Sequence, residues 1–158
     1  MPGTCRHEKT QVKAQAIQDP VFRWPLRIYY EDTDAGGIVY YANYLKYFER
    51  ARTEWLRHVG INQVDMALQY GAMFVVKSTT VDYHLPAQLD DELQITTVVE
   101  KLGRASLVFM QEAWRGDQCL VTGRFKVGCV DTESVRPCAI PGQVLKEVQL
   151  RVAPLLLT

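Results

Sequence analysis

The chain has 158 residues, 47% of them hydrophobic, enough for one globular domain with a real core. Lys plus Arg and Asp plus Glu each number 18, so the formal net charge is zero and no global field draws in nucleic acid or an anionic membrane. The apolar runs are far too short to span a bilayer and Met1 to Pro20 lacks the apolar core of a signal peptide, so the expected compartment is the cytoplasm.

Residues 1–21 mix Lys, Gln, His and Thr with little apolar periodicity and are expected to form a flexible tail. Phe22 to Glu31 is rich in aromatic and β-branched types and reads as a strand, with Pro25 tolerated at its entrance or on a sheet edge. This strand runs into three closely spaced acids, Glu31, Asp32 and Asp34, and then into Gly36-Gly37. From Asn43 to about Val59, apolar residues recur at Tyr44, Phe48, Ala51, Trp55 and Val59, with Leu45 and Leu56 beside them, which is the stripe of an amphipathic helix. Asn43 is the expected N-cap and Gly60 the stop, and Glu49 with Arg52, Arg50 with Glu54, and Glu54 with Arg57 are spaced to pair on the solvated side.

Ile61 to Gly71 has room for a short helix, after which the pattern turns to β. Strands are expected over Met73 to Tyr83, Glu92 to Lys101, Ala105 to Arg115 and Gln118 to Val130, the last three joined by the short turns Gly103-Arg104 and Gly116-Asp117. Pro137 and Pro141 break the next segment, and Gly142 to Val152 can close the chain as a helix. One strand, a long helix and four more strands define an α+β order, with an antiparallel sheet of about five strands and a helix free to lie across one face.

The junction at residues 28–44 is where chemistry is expected. Loop carboxylates are aimed from a rigid scaffold, and a helix N-terminus offers unpaired N–H groups and a positive dipole end to an oxygen gathering negative charge. Each residue also has a plainer role. Asp32 and Asp34 can cap turns, Tyr40, Tyr44 and Phe48 can be core, Glu49 can be a solvated or paired carboxylate, and Lys101 and Arg104 can decorate a hairpin tip. Lys77 and Ser106 carry weak signals only. Cys5, Cys119, Cys129 and Cys138 include no Cys-x-x-Cys pair and no histidine at ligand spacing, so no metal site is expected and the thiols are expected to be reduced.

At the level of motifs the chain resembles the 4-hydroxybenzoyl-CoA thioesterase family. Arg23-Trp24-Pro25, the acidic run from Tyr29 through Gly37, and Tyr47-Phe48-Glu49-Arg50-Ala51-Arg52-Thr53-Glu54 look like its Tol-Pal-associated acyl-CoA thioesterase branch. Val81-Asp82-Tyr83-His84-Leu85-Pro86-Ala87, Leu89-Asp90-Asp91 and Gly103 to Phe109 fit the same branch. The resemblance implies a hot-dog domain over residues 22–158, with the sheet wrapped around a long central helix. It further implies a homodimer or homotetramer, active sites between two subunits, no cofactor, and hydrolysis of an acyl-CoA or carrier-protein thioester to a carboxylic acid and a thiol. The family's catalytic carboxylate falls on Asp34, as nucleophile or as general base. The Tyr41 N–H, with a second donor from Gly36-Gly37-Ile38, would hold the oxyanion. On their residue types alone, and beside the plainer roles above, Tyr40, Tyr44 and Phe48 can line an acyl pocket and Arg104 and Lys101 can grip coenzyme A phosphates from a turn. The branch name alone suggests an association with an envelope complex. Members of the branch commonly carry His at the position of Tyr41, whereas the hydroxybenzoyl enzyme has Tyr there, as this chain does. A hydroxyacyl-thioester dehydratase, which would want a His and acid pair, and a non-catalytic acyl-binding scaffold are the alternative readings.

Overall fold

In the computed structural model, residues 21–156 are described; the expected N-terminal tail, with Cys5 and His7, lies outside them but for Val21. Five strands, β1 (Phe22–Arg27), β2 (Ala72–Tyr83), β3 (Glu92–Leu102), β4 (Ser106–Arg115) and β5 (Gln118–Asp131), form one antiparallel sheet in the order β1-β3-β4-β5-β2. The long helix α1 (Asn43–His58) packs against β3 and β1, the short α2 (Gln63–Tyr70) against β2, and α3 (Gly142–Leu156) against β3. This is the hot-dog arrangement, α+β with the sheet curled about α1.

The sheet presents one apolar face to α1 because β3 and β4 keep a strict period of two. Leu93, Ile95, Thr97 and Val99 of β3 and Leu107, Phe109, Gln111 and Ala113 of β4 are buried, and the residues that alternate with them are not. Against them α1 lays Tyr44, Tyr47, Phe48, Ala51, Trp55 and Leu56. Trp55 meets Phe109 edge to face at 5.5 Å between ring centroids, and Phe48 meets Phe125 at 5.2 Å. Each such buried aromatic or aliphatic side chain contributes on the order of 1.5–3 kcal/mol.

α1 ends as its sequence predicts. Gly60, at φ +89°, follows the helix; its N–H reaches the Arg57 carbonyl at 3.0 Å and the Ile61 N–H reaches the Leu56 carbonyl at 2.8 Å, the paired bonds of a Schellman motif. Its start departs from expectation. The N-cap position belongs to Ala42, which offers no side-chain cap, and Asn43 is the first helical residue. The Asn43 side-chain amide instead donates to the Asp32 carbonyl at 2.9 Å, so it ties the helix to the acidic turn.

Three further expectations are revised. β1 stops at Arg27 rather than Glu31, because the Asp32 carboxylate takes the Tyr29 N–H at 2.8 Å and folds Tyr30–Asp32 into a 3₁₀ turn, a local side-chain bond that displaces the ladder. Of the three ion pairs on α1, only Glu54 with Arg57 is closed, at 2.6 Å. Arg52 turns inward and is 7% exposed; its Nη1 donates to Gln111 Oε1 at 2.9 Å and its guanidinium lies 4.5 Å from the Phe125 ring centroid. Gln111 in turn donates to the Phe48 carbonyl and to Thr97 Oγ1, so the buried amide is satisfied on every side. Burial holds the Arg52 guanidinium down to about 10, against a smaller opposing effect of Glu49.

Candidate active site

The acidic turn separates into one residue that builds and one that is presented. Asp32 builds. Its carboxylate holds Tyr29, and its carbonyl accepts from the Tyr40 N–H at 3.0 Å as well as from Asn43. The Tyr47 phenol is buried nearby; burial, then the Asp32 carboxylate, raise its pKa.

Asp34 is presented. Its N–H donates to the Ile38 carbonyl at 2.9 Å and its carbonyl accepts from the Gly37 N–H at 3.0 Å, closing residues 34–38 into a tight loop. The Gly36 N–H donates to Asp34 Oδ1 at 2.9 Å, which fixes the exposed carboxylate against its own backbone. A Cβ at Gly36 would stand 3.2 Å from that oxygen, and Gly37 has φ +77°, so the sequence needs both glycines for the loop to close on Asp34. Both glycine amides are therefore engaged by Asp34 itself. The amides of Tyr41 and Ala42, at the entrance of α1, have no acceptor among the described residues, as the first amides of a helix commonly do not.

A second wall comes from the segment between β2 and β3. The Val39 N–H donates to the Ala87 carbonyl at 2.9 Å and Ile38 bridges Gln88. Arg115 anchors that segment, reaching Asp91 at 2.7 Å and the Pro86 carbonyl at 3.2 Å. Burial works against the Asp91 charge, but the Gln88 N–H and Arg115 outweigh it and hold the carboxyl below the usual range. Between the two walls opens a pocket of about 300 Å³, lined by Ile38, Val39, Tyr41, Tyr44, Tyr83, His84, Leu85 and Pro86. Tyr44 is buried there and its phenol is raised chiefly by that burial. Tyr83 meets Tyr44 and Tyr41 edge to face at 5.7 and 6.1 Å, and its hydroxyl donates to the Tyr41 carbonyl at 2.9 Å.

The structure thus gathers Asp34, Gly36, Gly37, Ile38, Tyr41 and Tyr44 in one place. It does not bring Arg104 to them within one chain. The turn carrying Arg104 lies at the opposite end of β3 from the residues that pair with Arg27 and Ile28, about 30 Å away at the rise of a strand. Its carbonyl there accepts from the Ile140 N–H at 2.8 Å. Glu49 is also elsewhere; it is exposed, accepts from Thr53 Oγ1 at 3.0 Å, and borders a separate cavity of about 90 Å³ beside Arg52. Tyr83, His84 and Arg115 were not chosen from the sequence as site residues. Only the Tyr83-His84-Leu85-Pro86 motif marked their neighbourhood. Among the described residues no three His, Cys, Asp or Glu side chains converge as a metal site, and Cys119, Cys129 and Cys138 are free thiols.

A carboxylate fixed in a loop that leads through Ile38 into the free amides of a helix N-terminus, with Ile38 and Tyr41 lining an apolar pocket, is a set of parts that acyl transfer can use. The sequence agrees: the model of the thioesterase-like superfamily matches residues 29–148, and the chain belongs to that superfamily. It is a thioesterase. Among its relatives, the acyl-CoA thioester hydrolase YbgC of Escherichia coli O6:H1 is 44% identical over 128 residues, covering 80% of this chain and 95% of that protein. The acyl-CoA thioesterase YbgC of Haemophilus influenzae is 44% identical over 126 residues, covering 80% and 93%. In three dimensions the chain is similar to a probable thioesterase from Bartonella henselae, with a TM-score of 0.72 and 33% identity over 77% of this chain and 99% of that one.

Proposed function

We propose that the protein hydrolyses acyl-CoA thioesters, with Asp34 as the catalytic carboxylate. The observation that carries this reading is the Asp34 carboxylate held by the Gly36 N–H in the loop that leads into the free amides of Tyr41 and Ala42. As the thioester carbonyl is attacked, its oxygen gains charge and is met by the Tyr41 N–H, where the dipole of α1 adds to the attraction. Asp34 acts in one of two ways. Either a carboxylate oxygen attacks and displaces the thiolate, leaving an acyl anhydride that water opens, or Asp34 takes a proton from the attacking water. Both give one carboxylic acid and one thiol per water consumed. The acyl group lies in the pocket of Ile38, Tyr41, Tyr44 and Tyr83.

The working unit is a homo-oligomer built on β2. Of the two sheet edges, β1 has six residues and carries Pro25, whereas β2 has twelve, carries no proline, and exposes Val76 to Thr80 in a row. Such an edge pairs with another strand unless it is covered. A second copy would also supply the distant Arg104 to coenzyme A phosphates. Among the described residues no helix is long and apolar enough to cross a membrane. The cytoplasm, where free thiols such as Cys119 and Cys129 persist, is the proposed location.

The test is a panel of acyl-CoA and acyl-carrier-protein thioesters with a chromogenic thiol reagent. Thiol release in step with free acid supports the reading. Hydration of an enoyl thioester without thiol release would point to the dehydratase chemistry, and binding without turnover to a scaffold.

A further inference from the structure

We infer that Tyr83 is a positioning residue for a second oxyanion donor, the N–H of Ala42. The inference rests on the thioesterase reading above and deepens it. The entrance of α1 lacks a side-chain cap, and the amides of Gly36 and Gly37 are taken by Asp34 itself. What holds the entrance is a group from forty-two residues further on, the Tyr83 hydroxyl, which donates to the Tyr41 carbonyl at 2.9 Å. That carbonyl and the Ala42 N–H belong to the same peptide unit. A trans peptide is planar with its C=O and N–H pointing opposite ways, so fixing one fixes the other. Ala42 has φ −72° and ψ −19°, helical values that set its N–H roughly parallel to that of Asn43 and so along the axis of α1, while the Asn43 N–H is itself taken by the Tyr40 carbonyl at 2.9 Å.

The Tyr83 ring is itself held, edge to face against Tyr41 and Tyr44, at the mouth of the pocket that receives the acyl group. It comes from the end of β2, the strand proposed to pair with a second copy, so the donor peptide is braced by the sheet and not only by its own loop. A donor that is already oriented stabilises charge without reorganising when the charge appears. Burial, with Tyr41 second, raises the Tyr83 phenol, so the hydroxyl stays protonated and donating throughout the neutral range.

Tyr83→Phe keeps the ring and removes the bond. The assay uses the full chain, an acyl-CoA that the wild type hydrolyses, and two inert coenzyme A analogues. One is a trifluoromethyl ketone, whose hydrate presents a tetrahedral oxyanion; the other is a plain thioether with no carbonyl. The expected result is a fall in kcat of about tenfold with KM within about twofold, a matching loss of affinity for the ketone, and unchanged affinity for the thioether. A kcat within about twofold of wild type, with Asp34→Asn inactive, overturns the inference and leaves the thioesterase reading standing. Equal losses for ketone and thioether also overturn it, because they make Tyr83 a wall of the pocket. Absence of thiol release by the wild type overturns both.

Discussion

Asp34→Asn keeps the acceptor for the Gly36 N–H and so the shape of the loop, but removes the charge that a nucleophile or base needs. Turnover should fall by at least about a hundredfold with the melting temperature unchanged, measured by thiol release and calorimetry. Retention of most activity would move the search to Glu31, since Glu49 lies beside a separate cavity. Tyr41 tests the opposite case. If its part is the backbone N–H, the side chain can change while the donor stays, and Tyr41→Phe should lower kcat/KM by less than about tenfold; a general acid would lose about a hundredfold or more. The shared place of these two residues at one loop and helix junction was legible because acids, glycines and helix start follow one another along the chain, while their roles were suggested only by resemblance. Arg52 was not. A charged residue at helical spacing reads as solvated, yet its stem and flat guanidinium suit a slot over Phe125 once Gln111 supplies an acceptor, and nothing along the sequence couples positions 59 residues apart.

Elements were easier to read than their junctions. The period of β3 and β4, the stripe of α1 and the Gly60 stop are local signals that the structure keeps. The entrance of α1 and the end of β1 were misplaced because both are decided by one residue, Asp32, bonding across the junction to Tyr29, Tyr40 and Asn43. The segment between β2 and β3 is held the same way, by Arg115 reaching back to Asp91 and Pro86. Its stability should therefore depend on pH. The Asp91 carboxyl lies below its ordinary range in the folded state, so its contribution is present above the unfolded value of about 3.9 and is lost as pH falls through the folded one. Asp91→Asn should lower stability at pH 7 by about 1 kcal/mol, or about 2–4 °C, since the pair is largely but not wholly shielded from water. Thermal unfolding of both proteins from pH 7 to pH 2 checks the sign. The two curves should converge in acid, and a constant gap across the range would show that Asp91 acts through its shape alone.

At the scale of the molecule, the part proposed for Arg104, at the far end of the sheet, requires a second copy of the chain. If two copies join through β2 about a two-fold axis, the paired strands run antiparallel, so the far end of one sheet lies beside the site end of the other. Arg104 of one subunit then faces the entrance to the other's site, on the side from which coenzyme A extends. Sedimentation at micromolar concentration should give at least twice the 18.1 kDa of one chain, and Val76→Lys, which places a charge on the pairing edge, should shift it toward monomer with loss of turnover. The sharper test mixes two damaged proteins. Asp34→Asn should lack turnover and Arg104→Ala should raise KM several-fold. A hybrid dimer made by refolding them together would hold one site with both defects and one with neither, so activity at low substrate should rise above the mean of the two parents. Catalysis within a single chain predicts only that mean, because every Asp34 would then sit with its own altered Arg104. A mixed sample that stays at the mean while light scattering shows hybrid dimers would place the phosphate contact on some other cation, and leave Arg104 as a hairpin tip whose carbonyl holds Ile140.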